Sequence, residues 1–315
     1  MSASTSLRGR RGEWRKLSSG MSRIHRPSQT RSSARIKAWS QRTRIAQRNL
    51  TFGLYLLDQK RNIGPTLDVF CKWIGERVGV KLVPEQVPNY EMLADKVRRE
   101  GVDLAWLPPV VYLRAGAESL FPLLSLQRGG VEGGYETALI VRDDSPARVV
   151  EDLHEASVAW VDEWSAAGYV IPRLSLRLGG VDPSRLFRTE AFYGTHSAAV
   201  AAVVRGEVDV CATYARTDGH GRAVEGAWSD MPGARVRSLM TFGEIPPDVI
   251  AATRGVPEDI RVTVRLMLEA AARSRSLRPM LKGIFGADAF APVVPSRYDG
   301  LRAALAAEEP PQSER

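Results

Sequence analysis

The chain has 315 residues, of which 44% are hydrophobic and 25% charged, and its formal net charge is +8. This length and apolar fraction suit about two folded domains and exclude a wholly disordered protein. No apolar run approaches the roughly 18–20 residues of a membrane helix. Cys71 and Cys211 lie far apart and the four histidines lack zinc-site spacing, so we expect neither a disulfide framework nor a metal centre.

The positive charge is confined to the first fifty residues. They carry 13 Lys and Arg against one acid, Glu13, whereas the remainder carries 31 basic and 35 acidic side chains. The segment is rich in Ser and Arg and has no helical or strand periodicity, so residues 1–48 are predicted to be a disordered basic tail. Weak contact with an anionic surface is one role for it, and specific nucleic-acid binding is not expected. The alternative is a solvated leader without a partner, or a true start at Met21.

A secretory signal requires an apolar core of about 7–15 residues behind its basic end. Here Gly12 and Glu13 follow Arg10 and Arg11 instead. As written, the sequence therefore predicts a cytoplasmic location, which a different start codon would change.

Strand and helix patterns alternate along the rest of the chain. The first half is predicted to contain strands at 50–57, 80–83 and 102–107, with helices from Pro65 and at 90–100. Strands at 120–127 and 135–142 follow. A second unit is predicted from strands at 157–161, 187–192 and 208–213 and helices at 167–178 and 196–205. A strand at 236–242 and helices at 257–274 and 276–285 complete the pattern, which indicates βαβ units and largely parallel sheets.

The two units share an internal order that ends in similar strands, GVDLA at 101–105 and GEVDV at 206–210. Each unit would expose the carboxyl ends of its parallel strands, where α/β sheets bind ligands. Two such edges that face each other across a hinge form a cleft that can close.

Six segments carry a resemblance to a known family. They are 101–107 (GVDLAWL), 133–145 (GGYETALIVRDDS), 162–172 (DEWSAAGYVIP), 192–200 (FYGTHSAAV), 206–209 (GEVD) and 245–248 (IPPD). In this order they resemble the phosphonate/phosphite substrate-binding proteins of ABC importers, a branch of the two-lobed periplasmic binding proteins. The resemblance covers about residues 50–300.

The resemblance implies an α/β fold of two lobes, each a mainly parallel sheet flanked by helices, joined by two crossing strands. Lobe 1 would comprise residues 49–141 and 243–303, lobe 2 residues 142–242, and residues 304–315 a C-terminal tail. It implies a small-molecule anion as ligand, an ABC permease as partner, a monomer, no cofactor and no enzymatic activity. It also implies a periplasmic or membrane-anchored extracellular location, against the cytoplasmic location that follows from the missing export signal, so the compartment stays open.

The residues themselves point to an anion site at Ser165. This serine precedes the small residues Ala166, Ala167 and Gly168, which open a helix. Free N–H groups at a helix start, beside a hydroxyl and without bulky side chains, suit a tetrahedral oxyanion. The alternative is an N-cap serine on an ordinary helix.

A second helix start supplies Thr195 and His196. By the resemblance, the His196 imidazole donates a hydrogen bond to a ligand oxygen, and Thr195 is either a ligand contact or only the N-cap. Tyr90, Tyr135 and Tyr214 match family positions and are expected to shape the pocket.

The ligand loop departs from the family pattern. The family has three hydroxyls where only Ser165 remains, because Ala166 and Ala167 replace Thr and Ser. Tyr214 stands where aminophosphonate binders have an aspartate, and Pro109 removes a backbone donor. We therefore do not expect 2-aminoethylphosphonate as the ligand; a smaller or less charged oxyanion, or another organic ligand that uses Tyr214 and Trp164, fits better.

Three functions are compatible with the sequence. The first is a transporter's binding protein, and the second is a cytoplasmic sensor with the same cleft, tethered by the basic tail. The third is an enzyme that uses Cys211 or the Asp218-Gly-His-Gly221 loop; it is disfavoured because a small thiol in an apolar strand is ordinarily a buried core residue.

Overall fold

The computed structural model describes residues 49–56, 63–128, 135–218, 222–287 and 289–308. All of them belong to one compact unit. The predicted basic tail at 1–48, the glycines at 129–134 and His220 lie outside the described residues. Within the described ranges, no helix has both the length and the apolar character needed to cross a membrane.

The first sheet has six strands. They are β1 (Leu50–Leu54), β2 (Leu82–Gln86), β3 (Leu104–Leu107), β4 (Phe121–Gln127), β11 (Val249–Ala252) and β12 (Ala289–Ala291), in the order β12-β4-β11-β3-β1-β2. The strands β2, β1 and β3 run parallel, whereas β11 is antiparallel to both β3 and β4.

The second sheet repeats this plan. Its members are β5 (Glu136–Arg142), β6 (Ala156–Trp160), β7 (Phe187–Phe192), β8 (Val210–Thr217) and β10 (Val236–Glu244), in the order β10-β5-β8-β6-β7, and β9 (Ala223–Gly226) pairs with β8. Here β7, β6 and β8 are parallel and β5 is antiparallel to β8. The two predicted units are therefore real, and each places a parallel three-stranded core at the same position in its sheet.

Nine α-helices are described. They are α1 (Gly64–Val78), α2 (Tyr90–Arg98), α3 (Pro109–Arg114), α4 (Ile171–Leu178), α5 (Pro183–Leu186), α6 (His196–Val204), α7 (Glu258–Arg273), α8 (Arg278–Phe285) and α9 (Asp299–Glu308). Their ends follow ordinary capping chemistry: Pro65 lies in the first turn of α1, and the Asn89 side chain accepts the Met92 N–H at the start of α2. Apolar clusters lie on both faces of each sheet.

The same carboxylate contact fixes the parallel strands in each sheet. Asp103 Oδ2 accepts the Thr51 N–H at 2.8 Å and the Thr51 hydroxyl at 3.1 Å. Asp209 Oδ2 accepts the Ser157 N–H at 2.8 Å and its hydroxyl at 2.6 Å. Both aspartates are those of the repeated Val-Asp motif, and both pairs are separated by 52 residues. This clamp ties the first strand of each parallel core to the third.

The structure corrects the predicted boundaries. Strands β5 and β10 lie wholly in the second sheet, so the change from one sheet to the other falls between β4 and β5 and between β10 and β11 (at 245–248), not at 141 and 242. Helix α9 extends to Glu308, so the predicted tail from 304 begins inside a helix. Helix α3 was not predicted either; it begins at Pro109, which is a normal first residue of a helix.

The clamps should differ in their contribution to stability. Asp103 is 4% exposed, so Asp103→Ala leaves the partly buried Thr51 donors unpaired and should lower the free energy of unfolding by about 2–3 kcal/mol. Asp209 is exposed, so water can replace it, and Asp209→Ala should cost about 1 kcal/mol or less. Urea unfolding of the two matched variants measures this difference, and equal losses would contradict the assignment of the buried clamp.

Candidate ligand-binding cleft

The ligand loop, defined here as residues 161–170, follows the carboxyl end of β6. The Ser165 hydroxyl accepts the Gly168 N–H at 3.0 Å and so caps a short π-helical turn, Ala166–Val170, that leads into α4. Ser165 is buried, and its hydroxyl therefore orients the loop as an N-cap. The N–H groups of Ala166 and Ala167 precede the turn's own hydrogen bonds and are left for other acceptors.

Gly168 is required by close packing. A Cβ atom at this position would lie 2.3 Å from Val161 Cγ2 and 2.9 Å from Ser165 Oγ. The Gly168 carbonyl accepts the Val161 N–H at 3.1 Å, and the Val161 carbonyl accepts the Gly194 N–H at 2.8 Å. Val161 thus holds the ligand loop beside the segment that begins α6.

The start of α6 carries Thr195 and His196. The Thr195 hydroxyl accepts the Ala198 N–H at 3.1 Å, as an N-cap does. His196 Nδ1 shares a hydrogen bond of 2.9 Å with the Thr213 hydroxyl on β8. Burial lowers the pKa of His196 to about 4, so the imidazole is neutral near pH 7. Among the described residues none is hydrogen-bonded to Nε2, which leaves that nitrogen for a ligand.

Aromatic side chains from both sheets surround this point. The Tyr214 ring lies edge-on to His196 at 5.0 Å and to Tyr135 at 5.2 Å between centroids. In the first lobe, the Tyr55 and Tyr90 rings meet at 4.7 Å. Burial, with the carboxylates of Asp248 and Asp162, raises the pKa of Tyr90 well above its usual value, so its hydroxyl stays protonated and can donate.

A partly buried ion pair, Arg128 with Asp248, interacts electrostatically with these aromatic groups. Arg128 is bonded to the Asp248 carboxylate, which also accepts the Trp106 indole N–H at 3.0 Å. Burial lowers the pKa of Arg128, but Asp248 more than offsets this and holds it above its usual value. The guanidinium also interacts electrostatically with Tyr90 and Tyr135, one from each lobe.

One buried hydroxyl near the cleft has no partner among the described residues. Thr137 Oγ1 makes no hydrogen bond, and Thr137 is fully buried on β5, directly opposite Tyr214 on β8. An unpaired buried hydroxyl costs on the order of 1–3 kcal/mol. The second sheet therefore contains an unpaired hydroxyl at the same edge as His196 and Tyr135.

The comparisons with known proteins agree with this architecture. The family model for ABC-transporter phosphonate periplasmic substrate-binding proteins matches residues 55–298. The chain belongs to this family. Members are substrate-binding transport proteins, not enzymes; they bind small anionic ligands and work with an ABC permease.

Individual relatives are distant but cover most of the chain. The phosphate-import protein PhnD of Mycolicibacterium smegmatis is 21% identical over 273 residues, 80% of this chain and 84% of the relative. A Xanthomonas citri protein solved with bound chloride has a TM-score of 0.69 at 22% identity, over 82% of this chain and 98% of that one. PhnD1 from Prochlorococcus marinus, in complex with methylphosphonate, has a TM-score of 0.65 at 17% identity, over 82% and 97%. The structural likenesses confirm the predicted two-lobed α/β fold.

Within this family member, the structure places the predicted site residues in two roles. Tyr90, Tyr135 and Tyr214 interact electrostatically with Arg128, and His196 packs edge-on against Tyr214, whereas the hydroxyls of Ser165 and Thr195 cap helices. Ala166 and Ala167 are both buried.

Sequence reasoning missed four polar residues of the cleft. They are Tyr55, Arg128, Asp162 and Asp248. Asp248 was noted only as part of a family motif, and Arg128 could have been suspected because it is the last residue before a glycine-rich crossing.

His196 should make folding sensitive to acid. An unfolded histidine takes up a proton near pH 6.5, whereas the folded one does so only near pH 4. This contribution to stability is therefore complete above about pH 6.5 and is lost as the pH falls toward about 4. Urea unfolding across that window should show that the free energy of unfolding changes less steeply with pH in His196→Asn than in the wild type. Identical slopes would contradict a buried, neutral His196.

Proposed function

We propose that this chain captures a small oxyanion of the phosphonate, phosphite or phosphate type between its lobes and delivers it to an ABC importer. The observation that carries the proposal is a series of contacts from both lobes. Tyr90 and Tyr135 interact with Arg128, and Tyr214 packs against both Tyr135 and the neutral His196 at the start of α6. Helix N-termini and such donors are the usual protein partners of tetrahedral anions.

The charge balance favours an anion of low charge. Arg128 is already paired with Asp248, and Asp162 adds a second carboxylate that interacts with Tyr55 and Tyr90. A neutral His196 contributes a donor without a positive charge. A dianion would thus meet more negative charge than positive charge, whereas a monoanion can be held by hydrogen bonds and dipoles.

Asp162 would contact the part of the ligand that lies away from its oxyanion. Its carboxylate belongs to the ligand loop and faces two tyrosines of the first lobe. A hydroxyl or ammonium group on the ligand would find a partner there and an aromatic surface beside it. Although Tyr214 argues against 2-aminoethylphosphonate, this compound therefore belongs in any ligand panel.

A thermal-unfolding screen of the full chain tests the proposal. The panel comprises phosphate, phosphite, methylphosphonate, 2-aminoethylphosphonate, sulfate and several organic acids. At about 1 mM, a ligand of micromolar affinity should add roughly 4 kcal/mol, a shift on the order of 8 °C for a domain of this size. A shift with sulfate or an organic acid alone, or with no compound, would contradict the proposed ligand class.

Tyr90→Phe locates the binding site. It removes one donor without changing the packing of the ring, and it should weaken binding of the best ligand about 10- to 100-fold by calorimetry, since hydrogen bonds to charged groups contribute about 1.5–3 kcal/mol. Tyr112→Phe is the matched control, because Tyr112 is equally buried in the first lobe but contacts Tyr298. Unchanged affinity in Tyr90→Phe would remove Tyr90 from the site.

A further inference from the structure

The side chain of Ala166 does not face the polar cleft. It belongs to an apolar group, here called the interlobe cluster, whose members come from three parts of the chain. They are Val110 on α3, Ala166 and Val170 in the ligand loop, and Leu301 and Leu305 on α9. All five are less than 10% exposed.

The C-terminal helix α9 is anchored at a position from which it contacts both lobes. At its start, the fully buried Tyr298 donates its hydroxyl to the Pro247 carbonyl at 2.6 Å and packs edge-on against Tyr112 of α3. Arg297 is paired with Glu244 at the end of β10. Both anchors lie beside the crossing at 245–248, so α9 leaves the hinge region and runs along the contact between the lobes.

A second contact joins the ligand loop to the first lobe. The guanidinium of Arg114, at the end of α3, lies 4.6 Å from the centre of the Trp164 ring. Trp164 also packs against the interlobe cluster and against the apolar core of the first lobe. Contacts of this kind need no ligand, because apolar burial and a cation–π contact are complete within the protein.

We propose that the interlobe cluster holds the lobes together without ligand, with α9 as its third wall, and that Ala166 is a closure-determining residue of the ligand loop. Closure would then be driven partly by the protein and not wholly by the bound anion. The consequence for affinity rests on the proposed function, whereas closure of the ligand-free protein does not.

The distance between the lobes in the ligand-free protein tests this directly. Spin labels on Lys72→Cys in the first lobe and Leu178→Cys in the second would be well exposed, since these side chains are 77% and 79% accessible. The native cysteines are buried and would not react. In the wild-type background, pulsed electron paramagnetic resonance should show mainly one short distance between the two labels. Leu305→Ala should add a longer distance.

Matched variants separate closure from general destabilisation. Leu281→Ala makes the same chemical change in the first lobe's own core, where Leu281 is 1% exposed, and should lower the melting temperature without adding the longer distance. Ala166→Thr inserts a hydroxyl into the interlobe cluster and should add the longer distance as Leu305→Ala does. An open ligand-free wild type, or equal distributions in wild type, Leu305→Ala and Ala166→Thr, would overturn the proposal.

Ligand titration provides the second readout. Apparent affinity scales with the fraction of closed protein, so a tenfold loss of that fraction in Leu305→Ala should raise the apparent Kd of the best anion about tenfold. If no anion binds while Leu305→Ala still opens the cleft, the proposed function fails and the closure device stands. If an anion binds and Leu305→Ala changes neither distance nor affinity, the closure device fails and the proposed function stands.

Discussion

One carboxylate at the start of the third strand holds the parallel core of each lobe in register. Asp103 and Asp209 each bond the N–H and the hydroxyl of a residue on the first strand, Thr51 or Ser157. Because the strands are tied at their amino ends, their carboxyl ends finish together at the opposite edge. The ligand loop, the start of α6 and the crossing segments all leave from that edge, so the geometry of the cleft depends on these two clamps.

Among the described residues, few charged side chains lie at the cleft. Arg128 is partly exposed and pairs with the buried Asp248, and a buried carboxylate without a partner would be costly. Neutral His196 and protonated Tyr90 supply donors without altering the charge balance. Such a site recognises an anion by the direction of its hydrogen bonds more than by Coulomb attraction.

Local patterns were sufficient to predict most of the fold, because strand and helix periodicity and the repeated Val-Asp motif are recorded in neighbouring residues. The site was harder to predict. Arg128 gains its role from Asp248, 120 positions away, and no local pattern reports that pairing. The second half of helix α9 was predicted to be part of the tail from residue 304, and its Leu305 packs against Val110 and the ligand loop, which are distant in sequence.

Ala166 shows why counting donors along a sequence can mislead. A hydroxyl that faces the ligand contributes only when the ligand is present, whereas a methyl group that faces the other lobe contributes whenever the lobes meet. Apparent affinity depends on the closed fraction as well as on direct contacts, so a loop that loses a donor and gains an interlobe contact can bind as tightly as before. The change to Ala166 therefore does not by itself predict a weak site; its effect depends on what Val110, Leu301 and Leu305 contribute to closure.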